Sequence, residues 1–592
     1  MSDDDDLKTQ KLRRPRMLLV SRKTVSKVSI ELVCLLVVAV TFVACGKALA
    51  GYSFRYGGFP YYRFFDIGVS CLPAVFVYAL HRLFLSPVAS SVSVSLVILA
   101  LSYANHVKTS LTGEPLSWTD VSGGANISIV IHYVSLHLAL AACAALSLLA
   151  FLFVRFEWSL LAHRLTVYRK RYIALAILVV IASGASFREK TAADGVSYAG
   201  YRFFEALGAK YDAFQWQTNV ERNGLGVHLV QTSLRHMPAE PTAAEEALFR
   251  VLTTTESASS DRPRTVVMIL CESCWYDGSH FQGIYEPLIQ RGFTPFRGIA
   301  PMYGGGTVNS AFEMITGLPA RSEVLTGVIY QEYAPVISDD AYALPRYLGQ
   351  NGFRTVSMHN NLGRFWHRNV VSPKMGFDEF HDIEDMGIKP STEWADDSIL
   401  FSSALRELDA DKGKPIFMHL TTVFTHGRYE RRGDLGEGHY QEKLRKSISS
   451  LAAFIDDLQA RDPTALVLVY GDHKPQLTSF FVREGVLSAD LFETMGEFDT
   501  DFRFADDADR KVIGDMPMWI MGPDRTKVQK FVRMADARPF FCIATFFDRV
   551  FLSSGLPAFK FGGPICGDYP QQGYEGTVSK YPSWLFSKSI LK

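Results

Sequence analysis

Two acidic signals about 200 residues apart carry the most chemistry in this 592-residue chain. Glu272 follows the apolar run 265–270, and Asp472-His473 follows a second run, 465–470. Between them Gly304-Gly305-Gly306-Thr307 presents one hydroxyl at a predicted helix start. Glycines let the backbone approach a ligand closely, and a helix start offers unpaired N–H groups to an anion. Two carboxylates, an imidazole and a hydroxyl at strand ends and a turn can converge on one divalent metal and a phosphate. Thr307 alone would read as an N-cap, the commonest role of such a residue. Beside Glu272, Asp472 and His473 it reads as a nucleophile, because a weak hydroxyl needs a metal to lower its pKa.

Further residues fit the same chemistry. Arg368, in Phe365-Trp366-His367-Arg368-Asn369, offers a guanidinium among aromatics, suited to forked recognition of phosphate. His359-Asn360 and Thr425-His426 end two more apolar runs. The bland alternatives are a surface cation for Arg368, a satisfied loop histidine for His426 and an ordinary turn for Asp472-His473. Four predicted strand ends bearing ligand-type residues favour an active site.

The elements that must position these residues follow from the pattern. Candidate strands are 265–270, 353–358, 415–422, 465–470 and 517–521, alternating with helical stretches such as 340–351, 396–410 and 440–460. That alternation predicts an α/β domain with a largely parallel sheet, whose sites form outside the carboxyl ends of strands.

The first 190 residues differ in kind. Five apolar stretches, at about 28–50, 66–86, 88–104, 129–154 and 172–187, each approach the roughly twenty residues needed to cross a bilayer. Basic residues crowd the N-terminal tail (Lys8 to Lys27) and the 164–171 linker, which predicts both on the cytoplasmic side and the large domain outside. The resulting division is a tail (1–27), a five-helix polytopic membrane domain (28–190), interfacial helices and linker (191–262) and an extracytoplasmic domain (263–592). The aromatic-rich 197–236 segment suits either a helix at headgroup level or a linker packed on the outer domain. Formal net charge is zero and no basic stripe appears, which argues against nucleic-acid binding. Cys34, Cys45, Cys71 and Cys143 lie in apolar stretches as small hydrophobes. Cys271, Cys274, Cys542 and Cys566 permit one or two disulfides whose pairing stays open.

Taken together, these motifs resemble the lipoteichoic acid synthase branch of the alkaline phosphatase and sulfatase superfamily. The run Lys108 to Asp120 also resembles the loop that branch places between its third and fourth spans. The resemblance implies that Glu272, Thr307, Asp472 and His473 bind the metal, with manganese favoured and zinc or magnesium compatible. It implies Thr307 as nucleophile, His359, Trp366, Arg368 and His426 as substrate-binding residues, and Arg368 and His426 as participants in catalysis. The expected activity is transfer of glycerol phosphate from phosphatidylglycerol to a cell-envelope glycan or polymer through a covalent threonine intermediate. The expected location is the bacterial cytoplasmic membrane, multi-pass. Alternatives are a phosphoethanolamine transferase acting on lipid A or glycan, a head-group hydrolase, an inactive membrane scaffold and a transporter. The Cys-x-Pro-x-Arg signature of true sulfatases is absent from the sequence. Asn361, Ala311 and the cysteines around Glu272 depart from the family pattern.

Overall fold

The computed structural model describes residues 22–49, 64–82, 85–112, 115–122 and most of 203–591. At the N-terminal end lie α1 (Arg22–Leu49), α2 (Phe64–Arg82) and α3 (Pro87–Thr112), packed against one another. Ser29–Leu49 and Pro87–Thr109 are long and apolar enough to cross a membrane, while the apolar part of α2, Ile67–Arg82, is shorter. The predicted spans 129–154 and 172–187 lie outside the described residues. Glu31 on α1 accepts from Tyr78 (2.8 Å) and Arg82 (2.9 Å) on α2, so two charges in apolar helices neutralise each other.

A short helix, α4 (Trp118–Ser122), follows α3. Helices α5 (Trp216–Asn223) and α6 (Leu225–Ser233) then pack on α2, burying Val220, Leu225 and Leu229 in the core of the membrane helices. Trp216 is itself buried.

The large domain is built on an eight-stranded sheet. Its strands are β1 (Thr265–Cys271), β2 (Thr294–Ile299), β3 (Arg354–His359), β4 (Glu379–His381), β5 (Ile416–Thr421), β6 (Leu466–Gly471), β7 (Asp515–Met521) and β8 (Arg538–Pro539). Their order is β8-β2-β7-β6-β1-β5-β3-β4. All contacts are parallel except those of β7, which runs antiparallel to both β2 and β6. Every residue of β1, β5 and β6 is buried, as helices on both faces of a parallel sheet require. Each fully buried Val, Ile or Leu there contributes about 1.5–3 kcal/mol.

The apolar pair Phe540–Leu552 and Pro557–Gly567 turns by 111° and could pass for a broken span. Its first helix, Phe540–Phe547, is buried against the helix that begins at Thr307, so it belongs to the core. Two disulfides form, Cys271–Cys274 and Cys542–Cys566.

Candidate metal and phosphate site

Strand register brings the two acidic signals together. Cys271 at the end of β1 pairs with Gly471 at the end of β6, so Glu272 and Asp472 emerge side by side. Ligand atoms of Glu272, Asp472 and His473 lie within 4.8 Å of one another, and all three residues are buried. Gly471 must be glycine, because a Cβ there would sit 2.2 Å from the Cys274 carbonyl oxygen. The cluster is tightly oriented. The Ser273 and His473 amides donate to Asp472 Oδ1 (2.7 and 2.9 Å), and the Ser273 hydroxyl donates to Glu272 Oε1 (2.9 Å). His473 Nδ1 meets the Lys474 carbonyl oxygen at 3.0 Å, which makes Nδ1 the donor and leaves the lone pair on Nε2.

Helix α7 (Thr307–Thr316) brings the hydroxyl. Gly306 precedes it at φ 78°, where a side chain would meet Met302 at 2.2 Å. Thr307 Oγ1 donates to Glu272 Oε2 at 3.0 Å, and the Ser310 hydroxyl ties the helix to the Asp472 carbonyl at 2.7 Å. Two atoms here, Asp472 Oδ2 and His473 Nε2, are buried and make no hydrogen bond; they face each other at 3.1 Å, with Glu272 Oε1 3.7 Å from Nε2. Burial, reinforced by the Glu272 charge, pushes the Asp472 carboxyl up to about 6. Burial pulls His473 down, but the Asp472 and Glu272 carboxylates outweigh it and raise its pKa. Two crowded carboxylates and an imidazole with orphaned ligand atoms fit a divalent cation.

A second group of such atoms lies in the neighbourhood of this cluster, Arg368 and His426 within electrostatic reach of it and His359 within reach of both. His359 Nε2, Trp366 Nε1, Arg368 Nε and His426 Nδ1 are all buried without partners. His359 Nδ1 bonds to the Thr421 carbonyl at 3.0 Å, which fixes its ring. Arg368, buried at the start of α8 (Arg368–Lys374), feels the Glu272 and Asp472 charges, and burial lowers its pKa. Burial, then Arg368, holds His359 well below the usual histidine range. Burial, then the nearby His473, takes His426 down to about 4. Its ring lies 4.2 Å from that of Trp394 and 6.1 Å from that of Phe365. A guanidinium, an indole N–H and two neutral imidazoles suit a phosphate diester and the proton transfers at its oxygens.

Arg368 and His426 therefore lie within electrostatic reach of the Glu272–Asp472–His473 cluster that Thr307 joins, and His359 lies near Arg368 and His426. Trp366 is connected through Phe365, whose ring lies 5.3 Å from its own and 6.1 Å from that of His426. Several of their supports were not foreseen. Thr422 accepts from the Glu272 amide (2.9 Å), and Thr425 Oγ1 donates to the Glu272 carbonyl. Buried Asp397 accepts from the Val423 and Phe424 amides (3.0 and 3.1 Å) and from Asn360 (3.0 Å), organising the loop before His426. The Lys474 ammonium donates to three carbonyls, those of Val512, Ile513 and Asp515, at 2.8–3.1 Å. The Thr421-Thr422-Val423-Phe424-Thr425 run after an apolar strand was the available signal for the threonines; a lone aspartate such as Asp397 left none. Another acid–histidine group, Glu379, His381 and Glu407, is already neutralised by Arg354, whose Nε lies 2.7 Å from Glu379.

The sulfatase family model matches residues 264–497, a span that contains all eight residues singled out from the sequence. A putative cyclic beta-1,2-glucan modification protein of Rhizobium meliloti is 27% identical over 217 residues, covering 34% of this chain and 33% of that protein. The lipoteichoic acid synthase of Staphylococcus saprophyticus is 26% identical over 196 residues, 28% of each chain. The chain thus matches about a third or less of the length of these relatives. Among solved structures, the Streptococcus pyogenes phosphoglycerol transferase GacH, in complex with sn-glycerol-1-phosphate, aligns at 14% identity with a TM-score of 0.39, covering 60% of this chain and 96% of its own. The chain thus contains a segment, residues 264–497, that matches the sulfatase family, and over 28% of its length it is similar to a lipoteichoic acid synthase.

Proposed function

We propose that this protein is a membrane-anchored, metal-dependent phosphotransferase that moves glycerol phosphate from phosphatidylglycerol to a cell-envelope glycan or polymer. The observation that carries this reading is the presence of two sets of buried atoms without hydrogen bonds. Asp472 Oδ2 and His473 Nε2 lie in the cluster that Thr307 joins, and His359 Nε2, Trp366 Nε1, Arg368 Nε and His426 Nδ1 lie in its neighbourhood. Glu272, Thr307, Asp472 and His473 would hold one divalent ion, manganese by family resemblance and zinc or magnesium by donor chemistry. Bound there, such an ion lowers the pKa of a hydroxyl and offsets charge developing on phosphate oxygens.

The residues then divide the work. Arg368 grips the non-bridging oxygens, with Trp366 and His359 orienting the head group. Thr307 Oγ attacks phosphorus; the new P–O bond forms as the bond to diacylglycerol breaks. The threonine proton is lost and the departing diacylglycerol oxygen gains one, with neutral His426 as the shuttle. In the second half an acceptor hydroxyl gives up its proton, attacks the same phosphorus and returns Thr307 to its free form. Two disulfides in the large domain support its placement outside the cytosol, where thiols oxidise. With the N-terminal tail and the 164–171 linker inside, the domain of residues 263–592 faces the periplasm or exterior.

The test is intact mass of the full chain after incubation with metal and phosphatidylglycerol. A glycerol-phosphate adduct that disappears in Thr307→Ala is expected. An adduct formed only with phosphatidylethanolamine would replace the donor, and head-group release without adduct would make the protein a hydrolase.

A further inference from the structure

Strand register sets how far apart Glu272 and Asp472 stand, but not which way Glu272 points once β1 has ended. That direction belongs to the turn Cys271-Glu272-Ser273-Cys274. The Cys274 amide donates to the Cys271 carbonyl at 3.2 Å, and Ser273 takes φ 51°. A non-glycine residue stays in the left-handed region only where its surroundings enforce it. The Cys271–Cys274 disulfide closes this turn on itself, so Glu272 lies inside the covalent ring.

The ring is also fastened to what surrounds it. On the β6 side the Cys274 carbonyl oxygen presses on Gly471, where a Cβ would lie 2.2 Å away. Tyr440, on α9 (Glu437–Arg461), donates to the Ser273 carbonyl at 2.7 Å and accepts from the Trp275 amide at 3.1 Å. Ser273 in turn supplies the amide on Asp472 and the hydroxyl on Glu272. Rotating its backbone out of the left-handed region would release a contact to each carboxylate at once. Both cysteines are buried.

The two disulfides of the domain differ in reach. Cys542 and Cys566 are 24 residues apart in sequence, Cys271 and Cys274 only 3. In the chain-entropy account a bridge stabilises by restricting the unfolded chain, an effect that grows with the length of the closed loop. The short bridge restricts the unfolded chain little; what it constrains is the native turn.

We propose that the Cys271–Cys274 disulfide is a positioning element of the metal centre. It holds the Glu272–Ser273 turn so that the Glu272 and Asp472 carboxylates are preset for a divalent cation. The inference rests on the metal-dependent reading of this site. The bridge governs how tightly the cation is held, and its buried sulfurs take no part in the transfer itself.

A competition titration of the full chain with manganese tests this. Cys271→Ala/Cys274→Ala should weaken manganese affinity about 10–100-fold, with turnover at saturating manganese changed less than about threefold. Cys542→Ala/Cys566→Ala is the control. It should lower the thermal unfolding temperature more, because it opens the longer loop, yet leave manganese affinity within about threefold. Without metal or substrate, hydrogen exchange at the Ser273 amide should quicken in the first pair and not in the second. Should the first pair fail to accumulate, Cys274→Ala alone opens the same bridge, keeps the Cys271 side chain in β1 and should give the same shifts. Unchanged manganese affinity, equal affinity losses in both pairs, or a turnover loss that saturating manganese does not restore overturns the proposal. A wild type that takes up no manganese, with the difference in Ser273 exchange present, leaves the positioning of the turn standing and defeats the metal assignment instead.

Discussion

The two halves of the proposed site, the one read as metal-binding and the one read as phosphate-binding, are held by different means. Glu272 and Asp472-His473 continue straight from β1 and β6, neighbouring central strands, so sheet register alone sets their spacing. Arg368 and Trp366 hang on a left-handed turn, and His426 sits in a loop braced by Asp397 and an aromatic wall. One side inherits rigidity from the core. The other must be propped locally, and the two should fail differently.

The largest effect is expected on the strand side. Glu272→Gln or Asp472→Asn should strip the metal, measured by elemental analysis, and cut turnover about 10³-fold or more without unfolding the domain. On the turn side, Arg368→Lys keeps the charge but loses the fork. Activity should fall about 10²-fold while metal content stays normal, which would separate the two sides cleanly. Loss of metal in Arg368→Lys would erase the distinction. A smaller change should come from Thr425→Val, which removes the hydroxyl that anchors the Glu272 carbonyl; metal affinity should weaken about 10–100-fold in a competition titration.

The smallest prediction concerns stability. Glu313, on the same helix as Thr307, is buried and accepts from the Ala320 (2.8 Å) and Phe541 (3.2 Å) amides. Burial raises its pKa from 4.5 to about 8. Between those values the folded state holds a proton that the unfolded chain has released, so stability should fall as pH rises from about 5 to 8. Thermal unfolding should show that decline, and Glu313→Gln should flatten it.

This division also explains what could be read from the chain alone. The runs at 265–270, 415–422 and 465–470 are continuous and apolar, and the structure forms strands there within a residue or so at each end. Glu272, Asp472 and His473 were legible because they stand directly at those strand ends. β2 was missed because Pro295, Arg297 and Gly298 interrupt its apolar pattern, and the short edge strands β4 and β8 carry almost none. The antiparallel course of β7 had no local signature. Helix 340–351 begins later than expected, at Leu344, with Pro345 in its first turn. Asp397, Thr425 and the Lys474 cage act through tertiary contacts that no spacing encodes. The left-handed Trp366–His367 turn was equally invisible: histidine is enriched in that region, but tryptophan is not, and no spacing marks the pair.

One feature of the sheet bears on where this protein can be cut. The sulfatase family match ends at residue 497, yet β7 (Asp515–Met521) lies between β2 and β6. Beyond it the helix Phe540–Phe547, held by the Cys542–Cys566 bridge, donates the Phe541 amide to the carboxylate of Glu313. A fragment trimmed to the recognisable segment would leave β6, which positions Asp472, as a bare edge open to pairing with other chains. It would also detach β2 from the sheet. The unit of evolutionary resemblance is thus smaller than the unit of folding, and the C-terminal hundred or so residues are the missing half of a wall rather than an appendage.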